Sequence, residues 1–194
     1  MRKRSCWIVS LALLAGALVA CSSDNDTFSK LRLGIYIDNS THQDATLASA
    51  MNSASPGVFC HIGYEASSRS FVFSSNQGGS SRSRLNAKEM EMGLFSRIGM
   101  NNGVIVGYGN LSTTDTGGYI FYAFDAQCPN CFNYYATPMK SYPLTMTAAG
   151  LAVCAHCKRQ YNMNTGGNCI NDSGKGLIRY RATTTGALGY LVVN

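Results

Sequence analysis

The sequence predicts an all-β domain that carries a small metal-binding lobe. Three observations carry that expectation. The apolar runs are short and β-rich, and Gly, Asn, Ser or Thr interrupt them. Two of them, Val104-Ile105-Val106-Gly107-Tyr108 and Tyr119-Ile120-Phe121-Tyr122-Ala123-Phe124, are apolar without alternation, the pattern of buried strands. The second runs directly into Cys128-Pro-Asn-Cys131, and a matching knuckle, Cys154-Ala-His-Cys157, follows after 22 intervening residues. Each two-residue gap turns the backbone sharply enough to aim both sulfurs at one point, so the layout suits a single tetrahedral ion.

The remaining elements follow in chain order. Leu31 to Ile37 alternates in part and starts the sheet. Ser40 to Ser55 is rich in Ala, Ser and Thr and fits a helix or a loop. Pro56-Gly57 opens a strand from Val58 to Tyr64, and Arg69 to Phe73 returns as a hairpin. Asn76 to Ser83 reads as a flexible loop, with Arg82 and Arg84 as its solvated charges. Asn86 to Phe95 contains a short helix, in which Leu85, Met90 and Leu94 take helical spacings for core packing. Asn110 to Gly118 is turn material. Brief strands are expected at Leu151 to Val153, Gln160 to Met163, Leu177 to Arg181 and Leu188 to Val192. The whole is one β-rich body with a lobe, without repeats.

The first residues read as an address. Arg2, Lys3 and Arg4 precede an apolar run from Trp7 to Val19, too short for a membrane span and typical of a signal peptide. Leu18-Val19-Ala20-Cys21 resembles the bacterial lipobox. That resemblance implies a signal peptide over 1–20, cleavage before Cys21, a diacylglycerol on its sulfur, and a tether over 21–30. It implies attachment to the bacterial outer membrane, on the periplasmic or the surface side. The polar, acidic Ser22 to Thr27 also resembles the surface-export signal of some lipoproteins. Without the leader, thirteen basic residues face ten acidic ones, a net charge of about +3. No basic stripe or arginine cluster dominates the sequence, which argues against nucleic acid as a partner. About 170 residues remain, enough to bury a core as one domain.

An exported chain meets an oxidising compartment, so disulfides are the alternative for the knuckles. Adjacent Cys-x-x-Cys disulfides are strained and redox-active more often than structural, which favours metal. Cys60 and Cys169 are left over, either paired with each other or separate buried thiols.

The second knuckle, Cys154-Ala-His-Cys157-Lys-Arg-Gln-Tyr161-Asn-Met-Asn-Thr165-Gly166, resembles the second metal loop of Rieske-type domains, with Tyr161, Thr165 and Gly166 in register. Phe121 to Cys128 resembles the strand entering their first metal loop, and Leu177 to Tyr180 and Gly189 to Val193 resemble their closing strands. The resemblance runs from about Pro56 onward. It implies a Rieske-like antiparallel β-sandwich or barrel over 31–194, with a rubredoxin-like metal-binding lobe at about 126–166. A Rieske cluster needs two cysteines and two histidines. Here Asn130 and Cys157 occupy the histidine positions, and cysteines stand at 131 and 157. Lys158 and Arg159 replace the serine and glycine that would tune the cluster. Asn171-Asp172-Ser173-Gly174 takes the place of the usual Gly-Pro motif.

Those departures point to Cys128, Cys131, Cys154 and Cys157 as ligands of one structural zinc, in an envelope lipoprotein that is a scaffold or binds an unknown protein partner rather than an enzyme. The alternative is an electron carrier with rubredoxin-like iron or a 2Fe-2S cluster on the same thiolates. A third reading is a dithiol–disulfide relay. His156 sits inside the second knuckle, exposed or bonded to the site, while His42 and His61 have no evident partner. Tyr134, Tyr135 and Tyr142 either form a surface patch or pack over the lobe. No nucleophile motif or phosphate loop is present; Gly117-Gly118 and Gly166-Gly167 read as turns, and Glu89 and Glu91 diverge on a helix.

Overall fold

The computed structural model describes residues 28–93, 97–112 and 117–194. The leader, Cys21, the tether up to residue 27, part of the helix expected at 86–95 and part of the turn at 110–118 therefore lie outside the described residues. Strands dominate and every pairing is antiparallel. Among the described residues, no helix is long and apolar enough to cross a membrane.

The chain enters through β1 (Ile35–Asp38), α1 (Asn39–His42) and α2 (Ala45–Ala50). Asp38 and Asp44 end extended segments and start these helices, each accepting a backbone N–H from the first turn. Then come β2 (Phe59–Glu65), β3 (Ser70–Ser75) and β4 (Ser80–Arg84), followed by α3 (Ala87–Glu91). A capping box between Asn86 and Glu89 opens α3. The long strands β5 (Val104–Ser112) and β6 (Tyr119–Asp125) follow. The lobe holds β7 (Leu144–Met146), β8 (Leu151–Cys154), β9 (Gln160–Asn162), a 3-10 turn at Met163–Thr165 and β10 (Asn168–Cys169). The chain closes through β11 (Arg179–Tyr180), β12 (Ala182–Thr184) and β13 (Tyr190–Val193).

Among the described residues three sheets result, ordered β11-β6-β5-β2-β3-β4, β1-β13-β12 and β10-β9-β8-β7. The six-stranded sheet is the middle layer. Cys60, Ile62, Val104, Val106 and Ala123 face one core, with Ile35, Ile37, Leu47, Leu191 and Val193. Phe59, Ile105, Tyr122 and Phe124 face the other, with Ala152, Tyr161 and both inner cysteines of the lobe. Covering both faces removes the polar side of each central strand. That is why Val104–Val106 and Tyr119–Phe124 read as continuous apolar runs. Register confirms the layering: Ile105 lies opposite Phe124 and Val106 opposite Ala123.

The lobe packs closely on the sheet where side chains are absent. At Gly109 a Cβ would come within 2.4 Å of the Asn164 carbonyl and 2.6 Å of the Tyr122 ring. Any side chain there would push the 3-10 turn off β5.

The stretch 76–83 corrects a sequence expectation. Only its first residues turn; Ser80–Arg84 is the edge strand β4, paired with β3. Its residues are small or charged and none is fully buried, as an edge strand with solvent on one side permits. Arg82 is not an isolated loop charge, since its guanidinium pairs with Glu65 at 3.4 Å across the sheet. The region from Ser40 to Ser55, open between helix and loop, divides into α1, α2 and a turn.

Candidate metal centre

Each knuckle is delivered by a strand of the lobe interface. Just past β6, the Cys128 N–H donates to the Tyr142 carbonyl at 2.9 Å. The chain then coils back, and the N–H groups of Cys131 and Phe132 both donate to the Cys128 carbonyl. At the end of β8 the Lys158 N–H donates to the Cys154 carbonyl at 3.0 Å, with Lys158 at φ 62° closing the turn. Each knuckle thus closes on the carbonyl of its own first cysteine.

The structure brings all four thiols together. Their sulfurs lie within 4.8 Å of one another. Cys128 and Cys157 are 3.7 Å apart, and Cys131 and Cys154 are 3.9 Å apart. A tetrahedral ion holding sulfur at about 2.3 Å sets sulfur–sulfur edges of about 3.8 Å. A disulfide needs about 2.05 Å, far below these separations. A two-iron cluster distributes four thiolates over two metals, which spreads the quartet wider than one tetrahedron. The quartet thus has the dimensions of a site for one ion.

The inner cysteines, Cys128 and Cys154, are buried, while Cys131 and Cys157 are half-buried at the surface. Burial raises the Cys128 and Cys131 thiols above the usual range, and neighbouring thiols raise Cys131 further. Cys157 moves the other way. Burial pushes it up, but the Arg159 backbone N–H, the Cys131 thiol, the Arg159 side chain and Cys154 outweigh that and hold it down at about 6.

A second set of contacts surrounds the sulfurs. The Tyr161 hydroxyl, fully buried beneath the lobe, sits 3.3 Å from Cys128 Sγ. His156 Nδ1 lies 3.5 Å from Cys131 Sγ, and its ring packs edge-on against Tyr142 at 4.9 Å. His156 thus meets a sulfur without joining the quartet. Of the three tyrosines near the first knuckle, Tyr142 packs on the lobe core, whereas Tyr134 and Tyr135 are exposed.

Asn130 does not point at the sulfurs. Its amide donates to the Tyr161 hydroxyl and to the Lys175 carbonyl, both at 2.9 Å, and its oxygen accepts the Lys175 N–H. The segment 171–175 straps the second knuckle too. Asn171 bonds the Lys158 carbonyl and the Gln160 N–H, and Asp172 pairs with Arg159 at 2.6 Å. The polar run Asn171 to Lys175 therefore clamps both knuckles, a role its composition alone did not reveal.

Cys60 and Cys169 do not pair. Cys60 belongs to the main core and Cys169 packs on the lobe core, on opposite sides of the central sheet. Burial raises the Cys60 thiol strongly, leaving it a protonated packing residue.

Sequence reasoning left His42 without a partner, and the structure corrects this. Its Nε2 meets Glu89 Oε1 at 2.8 Å and its Nδ1 meets Ser83 Oγ at 2.7 Å. Both the His42 and Glu89 side chains are only 2% exposed. A hydroxyl, an imidazole and a carboxylate in line suggest a nucleophile, but this burial leaves a substrate no access to the imidazole. The trio ties α1, β4 and α3 together. His61, on β2, is half-buried and burial lowers its pKa.

No family model, no curated protein and no solved structure matches the chain. The fold and the four-thiol cluster thus define the class: a predominantly antiparallel β protein with a cysteine quartet able to hold a metal ion.

Proposed function

We propose that the chain is an envelope lipoprotein whose Rieske-like domain holds one structural zinc on Cys128, Cys131, Cys154 and Cys157, and that it serves as a scaffold or protein-binding module rather than an enzyme. The observation that carries the metal is the sulfur quartet, all within 4.8 Å of one another. A redox-silent ion suits a structural role, because four thiolates on one ion would join two knuckles that no disulfide links. Zinc on four thiolates contributes on the order of 10 kcal/mol to folding. A separate lobe of four short strands bearing two thiol knuckles on a β-sandwich supports the Rieske-like reading. Asn130 and Cys157 in the histidine positions argue against a Rieske cluster. The lipobox at Leu18 to Cys21 supports lipid anchoring at the outer membrane.

A mononuclear, rubredoxin-like iron is the second reading. The half-buried Cys131 and Cys157 favour it, since electrons would need a thiolate near the surface.

Metal analysis of anaerobically purified protein separates the readings. One zinc per chain and no visible colour is the expected result. Stoichiometric iron with a reversible visible band selects the electron carrier. Two disulfides without metal overturn both. The mass of the N-terminal peptide tests the anchor: a diacylglycerol on Cys21 is expected, and an unmodified Cys21 or a retained leader removes it.

A further inference from the structure

The cations that look scattered in the sequence converge in the fold. The Arg179 and Arg181 guanidiniums lie on the Phe28 ring, at 5.1 and 4.7 Å from its centre. The Ser29 N–H donates to the Arg179 carbonyl, which brings Lys30 and Arg32 alongside. Arg97 reaches the Arg32 carbonyl at 3.4 Å. Lys30, Arg32, Arg97 and Arg181 are exposed, and Arg179 is half-buried. A cavity of about 500 Å³ opens among Phe28 to Arg32, Arg181 and Asn194, and no Asp or Glu lines it. None of the five cations has a carboxylate partner within ion-pair distance among the described residues. Five of the thirteen basic residues after the leader thus share one face.

That face surrounds Phe28, seven residues beyond Cys21. Seven extended residues reach about 25 Å at most. If Cys21 carries the anchor, the cations must stay near the headgroups, within a few Debye lengths at physiological salt. We propose that Lys30, Arg32, Arg97, Arg179 and Arg181 form a docking face for the anionic phosphate headgroups of the membrane to which the chain is tethered. The inference rests on the lipid-anchor reading for its location, and on the cation cluster alone for its charge preference. A diacylglycerol supplies two acyl chains and holds without help, so the cations would set how the domain lies on the surface rather than whether it stays there. The face would press the domain against the bilayer instead of leaving it to swing on its leash.

The test compares the natural full-chain product with its Lys30→Gln/Arg32→Gln/Arg181→Gln variant. Both are sedimented with vesicles of phosphatidylglycerol and phosphatidylcholine, or of phosphatidylcholine alone. Each surface cation contributes about fivefold near an anionic bilayer. With five cations, the natural protein should prefer the anionic vesicles by on the order of 1,000-fold at low salt. High salt should abolish that preference, and the variant, which keeps Arg97 and Arg179, should lose on the order of 100-fold of it. Arg181→Lys should keep most of the preference that Arg181→Gln removes. Equal binding of the natural protein to both vesicles, or an unchanged preference in the variant, overturns the face. Retention on heparin without discrimination between vesicles also overturns it, in favour of a soluble polyanion. The N-terminal peptide mass scores the anchor separately, because the difference between vesicle types does not depend on an acyl chain.

Discussion

The hydroxyl of Tyr180 donates to Asp125 Oδ2 at 2.8 Å, inside the protein, where Asp125 has no exposed surface. The same carboxylate accepts the Met100 N–H at 2.6 Å and the Gln127 N–H at 2.8 Å. One side chain thereby joins β11, the turn before β5 and the approach to the first knuckle. Gly99 completes the arrangement, since a Cβ there would lie 2.9 Å from Asp125 Oδ2 and still closer to the Gly103 carbonyl.

Tyr180→Phe should cost about 1.5–3 kcal/mol at pH 7, the range for a hydrogen bond to a charged group. Burial raises the Asp125 pKa above its ordinary value, and the three hydrogen bonds oppose that rise. The Tyr180 bond favours the ionised form, so its loss matters most while Asp125 is charged. The gap between variant and natural protein should therefore shrink as pH falls through the Asp125 titration. Denaturant unfolding across pH 4–7 checks this; a gap that widens toward acid would contradict it.

His61 supplies a second pH dependence. Burial lowers its folded pKa below 6.5, so the unfolded chain protonates first as pH falls. Its contribution is fully present above 6.5 and is lost as pH drops through the folded value. His61→Gln removes that term. The natural protein should lose stability relative to this variant below pH 6.5, as read by thermal midpoints in matched buffers.

Cys154→Ser removes one buried thiolate of the quartet. It should abolish stoichiometric metal and release the strands β7 to β10, lowering the thermal midpoint by well over 10 °C, consistent with the size of a structural zinc contribution. Cys60→Ser, in the main core away from the quartet, should leave metal content unchanged. Metal analysis and thermal scans on both variants decide the matter.

Asn130→Ala cuts the strap between the first knuckle and the segment 171–175. It should leave metal stoichiometry at one but speed metal loss to a chelator several-fold. Amide exchange at Lys175, protected by the Asn130 side chain, should accelerate in parallel.

Glu89→Gln weakens the link between α1 and α3, and His42→Ala breaks it. Removing His42 takes the partner of the nearly buried Glu89 Oε1 while Oε2 keeps the Asn86 N–H, so His42→Ala should cost about 1–3 kcal/mol. Glu89→Gln, which keeps shape and a hydrogen bond, should cost less. Urea midpoints of the two variants test that order.

Local chemistry made part of this molecule legible in advance. The hairpin of β2 and β3 followed from Pro56-Gly57 and two apolar runs, because turn residues and strand propensity act over a few positions. The cysteine quartet was readable because each knuckle needs only two intervening residues. The edge strand β4 was missed because its stability lies in pairing with β3, not in its own Ser- and Arg-rich composition. The segment 171–175 looked like loop filler because its hydrogen bonds run to residues in two other turns.

By itself, the sequence determined the β-rich class, the buried central strands and the identity of the four thiols, since each depends on neighbours along the chain. Only the tertiary structure decided that the thiols meet within bonding range of one ion, that Asp125 meets Tyr180 across 55 positions, that His42 meets Glu89 across 47, and that five dispersed cations share a face. The physical reason is distance along the chain: a contact made by sheet closure leaves no periodic trace in the residues that make it.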